Sequence, residues 1–502
     1  MSPSASNLLR SSLISLAATF ISLTAGFASS IVAARLLGPA GSGKVAYALW
    51  VATSAAALAD MGLPQTLLRN TGHNRGDENA WKALVRTALR RFLISVSMVG
   101  VGILLFAAIT HAYRDAPHAW FWLVTGLLFL SYAFYAFSTA VARGRNRFGQ
   151  TARTTLLGGA MQIPLVFLGA WLLGPTGALI GYVARYLPQA LKLRDYIDPT
   201  AKYAQEALTP EMLRYGRYIW FSDLIEILVL SRIEFLFLGA FLSPTSIGYF
   251  AAALGLASLI EQIMLQISPA LIVNFTEAHA RSDQQSLNAA YERVIRIVAM
   301  ILLPISMGGA IIMPELLPLT FGDAFKPAIP AAATLLAFIW LAGLSVIPWG
   351  MISASGRSAI LLRIQLASAA ATILLLAILV PSLGLEGAAL GRGMIVTLTF
   401  ALLSWMAWKY VRVTIPITAL AKTILAAVLC AGAANLCISS LDGLLALLSA
   451  IPAGAVTYLL AIRFLRLITP EDLQILMATA GGKLPSVFHP LTGKLLSFLA
   501  TG

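Results

Sequence analysis

Residues 228–244 read "LVLSRIEFLFLGAFLSP", an apolar run that carries Arg232 and Glu234 near its middle. A guanidinium stays charged and can grip phosphate oxygens in two places. A carboxylate can neutralise it, or take up a proton or Na⁺. Arg185 and Arg392 also fall within apolar stretches, as do Asp60, Asp223 and Glu226. Chemistry of this kind is anion binding opposed by counter-charge, or coupling to an H⁺ or Na⁺ gradient. It is not catalysis, and no catalytic residue is expected. His73, His111, His118, His279 and His489 are scattered, and Cys430 and Cys437 lie two helical turns apart, too far for a disulfide. Neither a metal site nor a resident cofactor is expected.

The elements that position these residues must be membrane helices. The chain has 502 residues, 59% hydrophobic and only 11% charged, against about a quarter charged in ordinary soluble domains. A helix crosses the bilayer in about 20 apolar residues, and about fourteen such segments are present. They lie near 12–34, 45–68, 92–110, 119–141, 155–173, 176–193, 217–241, 247–273, 295–313, 329–353, 360–380, 386–408, 415–436 and 442–463. Tight Gly/Pro turns such as "LLGPAGSG" (36–43) and "LGPTGA" (173–178) join several of them. The first span follows Arg10 without a small-residue cleavage site and reads as uncleaved.

Net charge is +14, from 35 Lys and Arg against 21 Asp and Glu. In a soluble protein this would suggest nucleic acid. Here it is a topology signal, because basic residues in short loops stay cytoplasmic. Numbering the loops alternately puts 28 basic residues on the side of both termini and four, Arg35, Lys44, Arg114 and Lys326, on the other. A multi-pass membrane protein with cytoplasmic N- and C-termini is the expectation. Arg185, Arg232 and Arg392 remain inside spans.

An ionisable residue at bilayer depth normally faces a partner or a water-filled cavity. Arg232 lies near the midplane, beyond easy snorkelling. On a regular helix at about 100° per residue, Asp223, Glu226 and Glu234 share one broad face and Arg232 takes the opposite one. Two readings stand: Arg232 pairs with an acidic residue on another helix and fixes packing, or it lines a cavity and binds an anion. Arg392 is close enough to the outer interface to snorkel there. Asp60, in "LADMGLPQ", is accounted for by a cap or a salt bridge to a loop arginine. Gly177 and Gly181, like Gly387 and Gly391, form small-xxx-small steps that permit close helix packing.

The chain repeats itself: Pro39 in "GPAGSGKVAYALWVA" matches Pro244 in "SPTSIGYFAAALGLA", Arg145 matches Arg357, and Gly177 matches Gly387. The reading is an all-α polytopic membrane protein of two parallel six-helix lobes plus a C-terminal helix pair. Its boundaries are 1–215 for the N-terminal lobe and its linker, 216–412 for the second lobe, 413–466 for the extra pair and 467–502 for a cytoplasmic tail. Thr469, Pro470, Glu471 and Asp472 would start a short helix over 468–480 in that tail.

The stretch "ARLLGPAGSGKVAYALWVATSAAALADMGLPQTLLR" (34–69) resembles the opening of the polysaccharide and O-antigen flippases of the multidrug/oligosaccharidyl-lipid/polysaccharide exporter superfamily. Glu234 five residues before Gly239, "SPTSIGYFAAA", "FGDAFKPAIPAAATLLA" (321–337), "SASGR" (353–357) and "GLEGAAL" (384–390) extend the resemblance over nearly the whole chain. It implies two six-helix bundles around a central cavity, alternately open to each side. The implied cargo is an undecaprenyl-pyrophosphate-linked oligosaccharide, such as an O-antigen, capsule or exopolysaccharide repeat unit. Implied partners are that substrate, membrane lipids and polysaccharide polymerase or assembly proteins, without nucleic acid. Carried over by position, Arg35 matches the arginine at the outer end of the first span and Glu234 the acid of the seventh. Relatives often have a basic residue directly after that acid; this chain has Phe235 and places Arg232 two residues before. The last two spans resemble the extra pair of fourteen-helix members, which in lipid II flippases border a groove for the lipid tail. An ion-coupled drug or cation exporter on the same scaffold is the second reading. A polysaccharide polymerase or ligase is third, since such enzymes need a sizeable outer loop and the longest here, near 314–328, has the length of a plain connection.

Overall fold

Lipid cannot hydrogen-bond a peptide group, so a chain this apolar must satisfy its backbone within helices. The computed structural model describes residues 3–70, 78–113, 116–197, 208–280 and 284–468, and among these every regular element is helical. In chain order they are α1 (Pro3–Asp60), α2 (Leu63–Asn70), α3 (Glu78–Tyr113), α4 (Ala116–Gly144), α5 (Phe148–Leu191), α6 (Pro210–Ile225), α7 (Glu234–Phe241), α8 (Pro244–Ala280), α9 (Gln284–Phe321), α10 (Ile329–Ala354), α11 (Ser358–Val411), α12 (Ile417–Ser440) and α13 (Gly443–Phe464). Except for its first residue, the tail helix expected over 468–480 lies outside the described residues.

Three helices are long enough to cross twice, and each breaks at a glycine in the left-handed region: Gly38 in α1 (φ 64°), Gly174 in α5 (φ 63°) and Gly384 in α11 (φ 60°). A side chain is strained there and glycine is not; in α1 and α5 the next residue is a proline. With these three crossing twice, seven others once and α6 with α7 jointly once, the described helices supply fourteen crossings.

The chain forms two compact units, one of Met1–Ala252 with Thr372–Gly384 and the other of Ala253–Ala371 with Leu385–Gly502. The core of the first joins the alanine-rich second half of α1 (Ala48, Ala52, Ala55, Ala56, Ala59) to Phe92, Phe129 and Phe137 of α3 and α4. Alanine lets backbones approach, so dispersion between helices takes the place of a hydrophobic driving force. Large apolar residues such as Met98, Leu105, Trp171 and Leu172 are exposed, as a lipid-facing surface requires. In the second unit α12 and α13 are tied to α9: Tyr458 donates to the Met300 carbonyl at 2.6 Å, and the Gly443 N–H donates to Glu315 at 2.9 Å.

Within the first unit the repeat meets itself. A Cβ on Gly43 would strike the Pro244 carbonyl oxygen, and a Cβ on Gly248 would strike that of Pro39. Gly43 and Gly248 are themselves equivalent by the Pro39–Pro244 offset. The start of the second half of α1 and the start of α8 therefore touch in a reciprocal contact that only glycine allows.

The seventh span departs from a regular helix. After α6 the backbone forms a π-helical turn over Glu226–Ser231, and Arg232 then leaves helical geometry altogether (φ −152°, ψ 30°) before α7 begins at Glu234. A π turn bonds i to i+5, so each residue advances less around the axis than on an α-helix. The common face expected for Asp223, Glu226 and Glu234 is lost for this reason. Glu234 is buried at 2% exposure between Ile233 and Phe235, whereas Asp223 is half-buried and Glu226 exposed.

Candidate functional site

Arg185 lies in the second half of α5, which folds back on the first half at Gly174. The two halves run in backbone contact. A Cβ on Gly169 would meet the Gly177 carbonyl, one on Gly181 the backbone of Val166, and one on Gly158 the carbonyl of Arg185 itself. This approach brings Gln162 beside the guanidinium. Arg185 donates from Nη1 to Gln162 Oε1 at 3.0 Å, and from Nη2 to Ser22 Oγ at 2.7 Å and the Ser22 carbonyl at 3.2 Å. Gly26, one turn along α1 from Ser22, leaves room for Nη1. All these acceptors are neutral. Among the described residues no carboxylate pairs with Arg185, so its positive charge is held in place without being cancelled. Gln162 is fully buried, and its Nε2 makes no hydrogen bond.

Tyrosines surround this charge. Tyr132 and Tyr135 project from one face of α4, and Tyr186 from α5. Their rings contact one another, with centroids 6.2 Å apart for Tyr132–Tyr135, 5.0 Å for Tyr132–Tyr186 and 5.1 Å for Tyr135–Tyr186. The Arg185 guanidinium carbon is 5.6 Å from the Tyr186 ring centre. Tyr182, one turn before Tyr186, lies within electrostatic reach of both Arg185 and Arg232, and so does Tyr186. Arg232 itself stands at the break in the seventh span. Its guanidinium carbon stands 5.8 Å from the Phe235 ring, and the side chain is exposed.

Asp60 closes the end of α1. Its Oδ1 accepts from the Gly62 N–H at 2.7 Å in the turn between α1 and α2, and Gly62 takes a left-handed conformation (φ 71°). The chain here is strapped to α6. A Cβ on Gly62 would strike the Gly216 carbonyl, the Trp220 Nε1 donates to the Ala57 carbonyl at 2.8 Å, and Arg69 stacks 4.1 Å from the Tyr215 ring centre. These contacts bring Asp223 within electrostatic reach of Asp60, which is also within reach of Tyr132.

Of the residues singled out in the sequence, Arg185, Arg232, Asp60 and Asp223 all lie in the first unit. Glu226 is exposed at the π turn and Glu234 is turned into the core. Arg35 is exposed near the end of the first span, three residues before the Gly38 break. Arg392 is half-buried in the second unit. Ser22, Gln162 and the four tyrosines were missed. Their signal was present: in "SYAFYAF" (131–137) and "GYVARY" (181–186) tyrosines stand well inside spans, although this residue ordinarily concentrates at membrane interfaces.

A family model described as polysaccharide biosynthesis protein matches residues 32–330. No curated protein matches the sequence. Among solved structures, the fold is similar to that of the lipid II flippase MurJ in an inward closed conformation, with TM-score 0.73, 14% identity, and 90% of this chain and 98% of that one covered. It is also similar to an inward-facing multidrug resistance transporter of the MATE family in the MOP superfamily, with TM-score 0.63, 17% identity, and coverage of 80% and 99%. A MOP superfamily transporter from Pyrococcus furiosus follows at TM-score 0.54, 19% identity, and coverage of 81% and 96%.

Proposed function

The chain belongs to the polysaccharide biosynthesis protein family, and from this premise we propose that it is a flippase. It carries an undecaprenyl-pyrophosphate-linked oligosaccharide from the cytoplasmic to the outer leaflet of the inner membrane by alternating access, with both termini cytoplasmic. The observation that carries the reading is Arg185, a guanidinium within a span whose bonded partners, Ser22 and Gln162, are all neutral. A charge held at depth by dipoles alone retains its attraction for an anion, and a pyrophosphate is the anion of such a carrier lipid. Arg232 adds a second positive charge in reach of the same tyrosines. Arg35, near the outer end of the first span, is proposed to meet the headgroup as it leaves.

Asp60 and Asp223, which lie within electrostatic reach of each other, are proposed as the counter-charge that releases the cargo. Like charges within reach of each other are relieved by a shared proton or Na⁺, which would couple turnover to an ion gradient. That pair is also what an exporter of cationic drugs would use. Two arginines beside the tyrosines repel a cation and weigh against that reading.

Deletion of the gene tests the proposal. Lipid-linked oligosaccharide should accumulate on the cytoplasmic face, and surface polysaccharide should return with the wild-type gene but not with Arg185→Gln. An unchanged surface polysaccharide in the deletion strain, together with lost efflux of a cationic dye, would transfer the chain to the exporter reading.

A further inference from the structure

We propose that Tyr132, Tyr135 and Tyr186 form a saccharide subsite, which holds a sugar ring of the cargo beside the pyrophosphate bound at Arg185. The inference rests on the flippase reading and adds to it a place where the glycan, rather than the phosphate, is recognised.

Four observations converge on it. The three rings contact one another across α4 and α5, and each residue is only half-buried, so part of the cluster is left open. They stand in the transmembrane parts of α4 and α5, where a phenol has no headgroup region to reach and must find polar company within the protein. The polar layer one turn nearer the cytoplasm is already closed on itself. There Ser138 donates to the Gln189 carbonyl, Gln189 donates to Ser138, and Thr154 donates to the Gln189 side-chain oxygen. That layer takes up none of the three phenols. Finally, the charged groups in reach of the tyrosines are Arg185, Arg232 and Asp60.

The chemistry of this group matches a hexose. The faces of a pyranose carry C–H bonds that lie well on aromatic rings, its hydroxyls exchange hydrogen bonds with phenols, and a carboxylate such as Asp60 accepts from a sugar hydroxyl. An aromatic cluster can also cage an organic cation, but Arg185 stands 5.6 Å from the Tyr186 ring centre and opposes one. Proximity to Arg185 selects the sugar nearest the pyrophosphate, because a longer glycan must enter the cluster from its phosphate-linked end.

The test uses the full-length protein in detergent micelles and two probes: bare undecaprenyl pyrophosphate, and the lipid-linked oligosaccharide extracted from the deletion strain. Wild type should bind the glycan-bearing lipid about tenfold more tightly than the bare one, in keeping with the energy of one or two ring contacts. Tyr132→Leu and Tyr186→Leu should bring the two affinities together, read as the ratio of glycan-bearing to bare lipid in each variant. Tyr186→Phe keeps the ring and the packing, and should retain most of the preference. Thermal melts of each variant separate loss of fold from loss of recognition. Equal binding of both probes by wild type, or a preference that survives in both leucine variants, would overturn the saccharide subsite while leaving the anion site standing. Failure of wild type to bind either probe would overturn the flippase reading and the subsite with it.

Discussion

Arg185 and Arg232 differ in how they are held, and the difference predicts different behaviour on substitution. Arg185 is locked by Ser22 and Gln162 between the closely packed halves of α5 and α1. A lysine there keeps the charge but cannot span Gln162 and Ser22 with one planar group. Arg185→Lys should therefore turn over slowly, and Arg185→Gln not at all, with both proteins folded. Arg232 is exposed at a backbone break, so Arg232→Gln should keep its melting temperature and lose transport. If Arg232 were instead half of a buried ion pair, its removal would cost about 3–5 kcal/mol, and the variant would melt early and be rescued by neutralising the partner. Protein level and thermal stability in detergent, measured beside complementation, decide between the two. At this scale the sequence was partly legible. Charged residues in apolar runs stand out because their burial demands a reason, so both arginines and Asp60 were singled out from the sequence. The tyrosines were not, because an aromatic ring in a span needs no explanation until its neighbours are known.

The elements were read correctly where glycine and proline mark them. The "LGP" steps at 37–39 and 173–175 became the breaks of α1 and α5, since only glycine accepts the left-handed turn at no steric cost. The seventh span carries no such mark. Between Ile225 and Phe235 there is neither glycine nor proline, yet the helix widens to a π turn and breaks, so a helical wheel drawn through it misplaced the three carboxylates. The internal repeat was legible as an offset between prolines, but not the reciprocal contact it creates. That contact makes a symmetric prediction. Gly43→Ala and Gly248→Ala should each destabilise the protein by about 1–3 kcal/mol, because backbone must shift to admit the methyl group. Gly102→Ala, whose added carbon would meet nothing within 4 Å, should melt like wild type. Thermal denaturation of the three variants checks this, and unchanged melting of the first two would mean that the contact is slack.

For the whole molecule, the fourteen crossings and the helical architecture followed from hydropathy and from the demand that lipid places on the backbone. Orientation rests on the distribution of basic residues and is open to direct test. In a protein whose Cys430 and Cys437 have been replaced, a single cysteine at Arg357 should resist a membrane-impermeant thiol reagent in intact cells, and one at Thr245 should react. Labelling in the reverse sense would invert the topology and place Arg35 on the cytoplasmic side. The central claim concerns movement of a lipid-linked glycan through an anion site built around Arg185. It is tested most directly with purified protein in liposomes that carry the lipid-linked oligosaccharide, by following how much of it becomes reachable by a lectin added to the opposite side. Wild type should expose the inner-leaflet pool, and Arg185→Gln at equal protein density and equal melting temperature should leave it protected. Exposure at the same rate by both proteins would contradict the account.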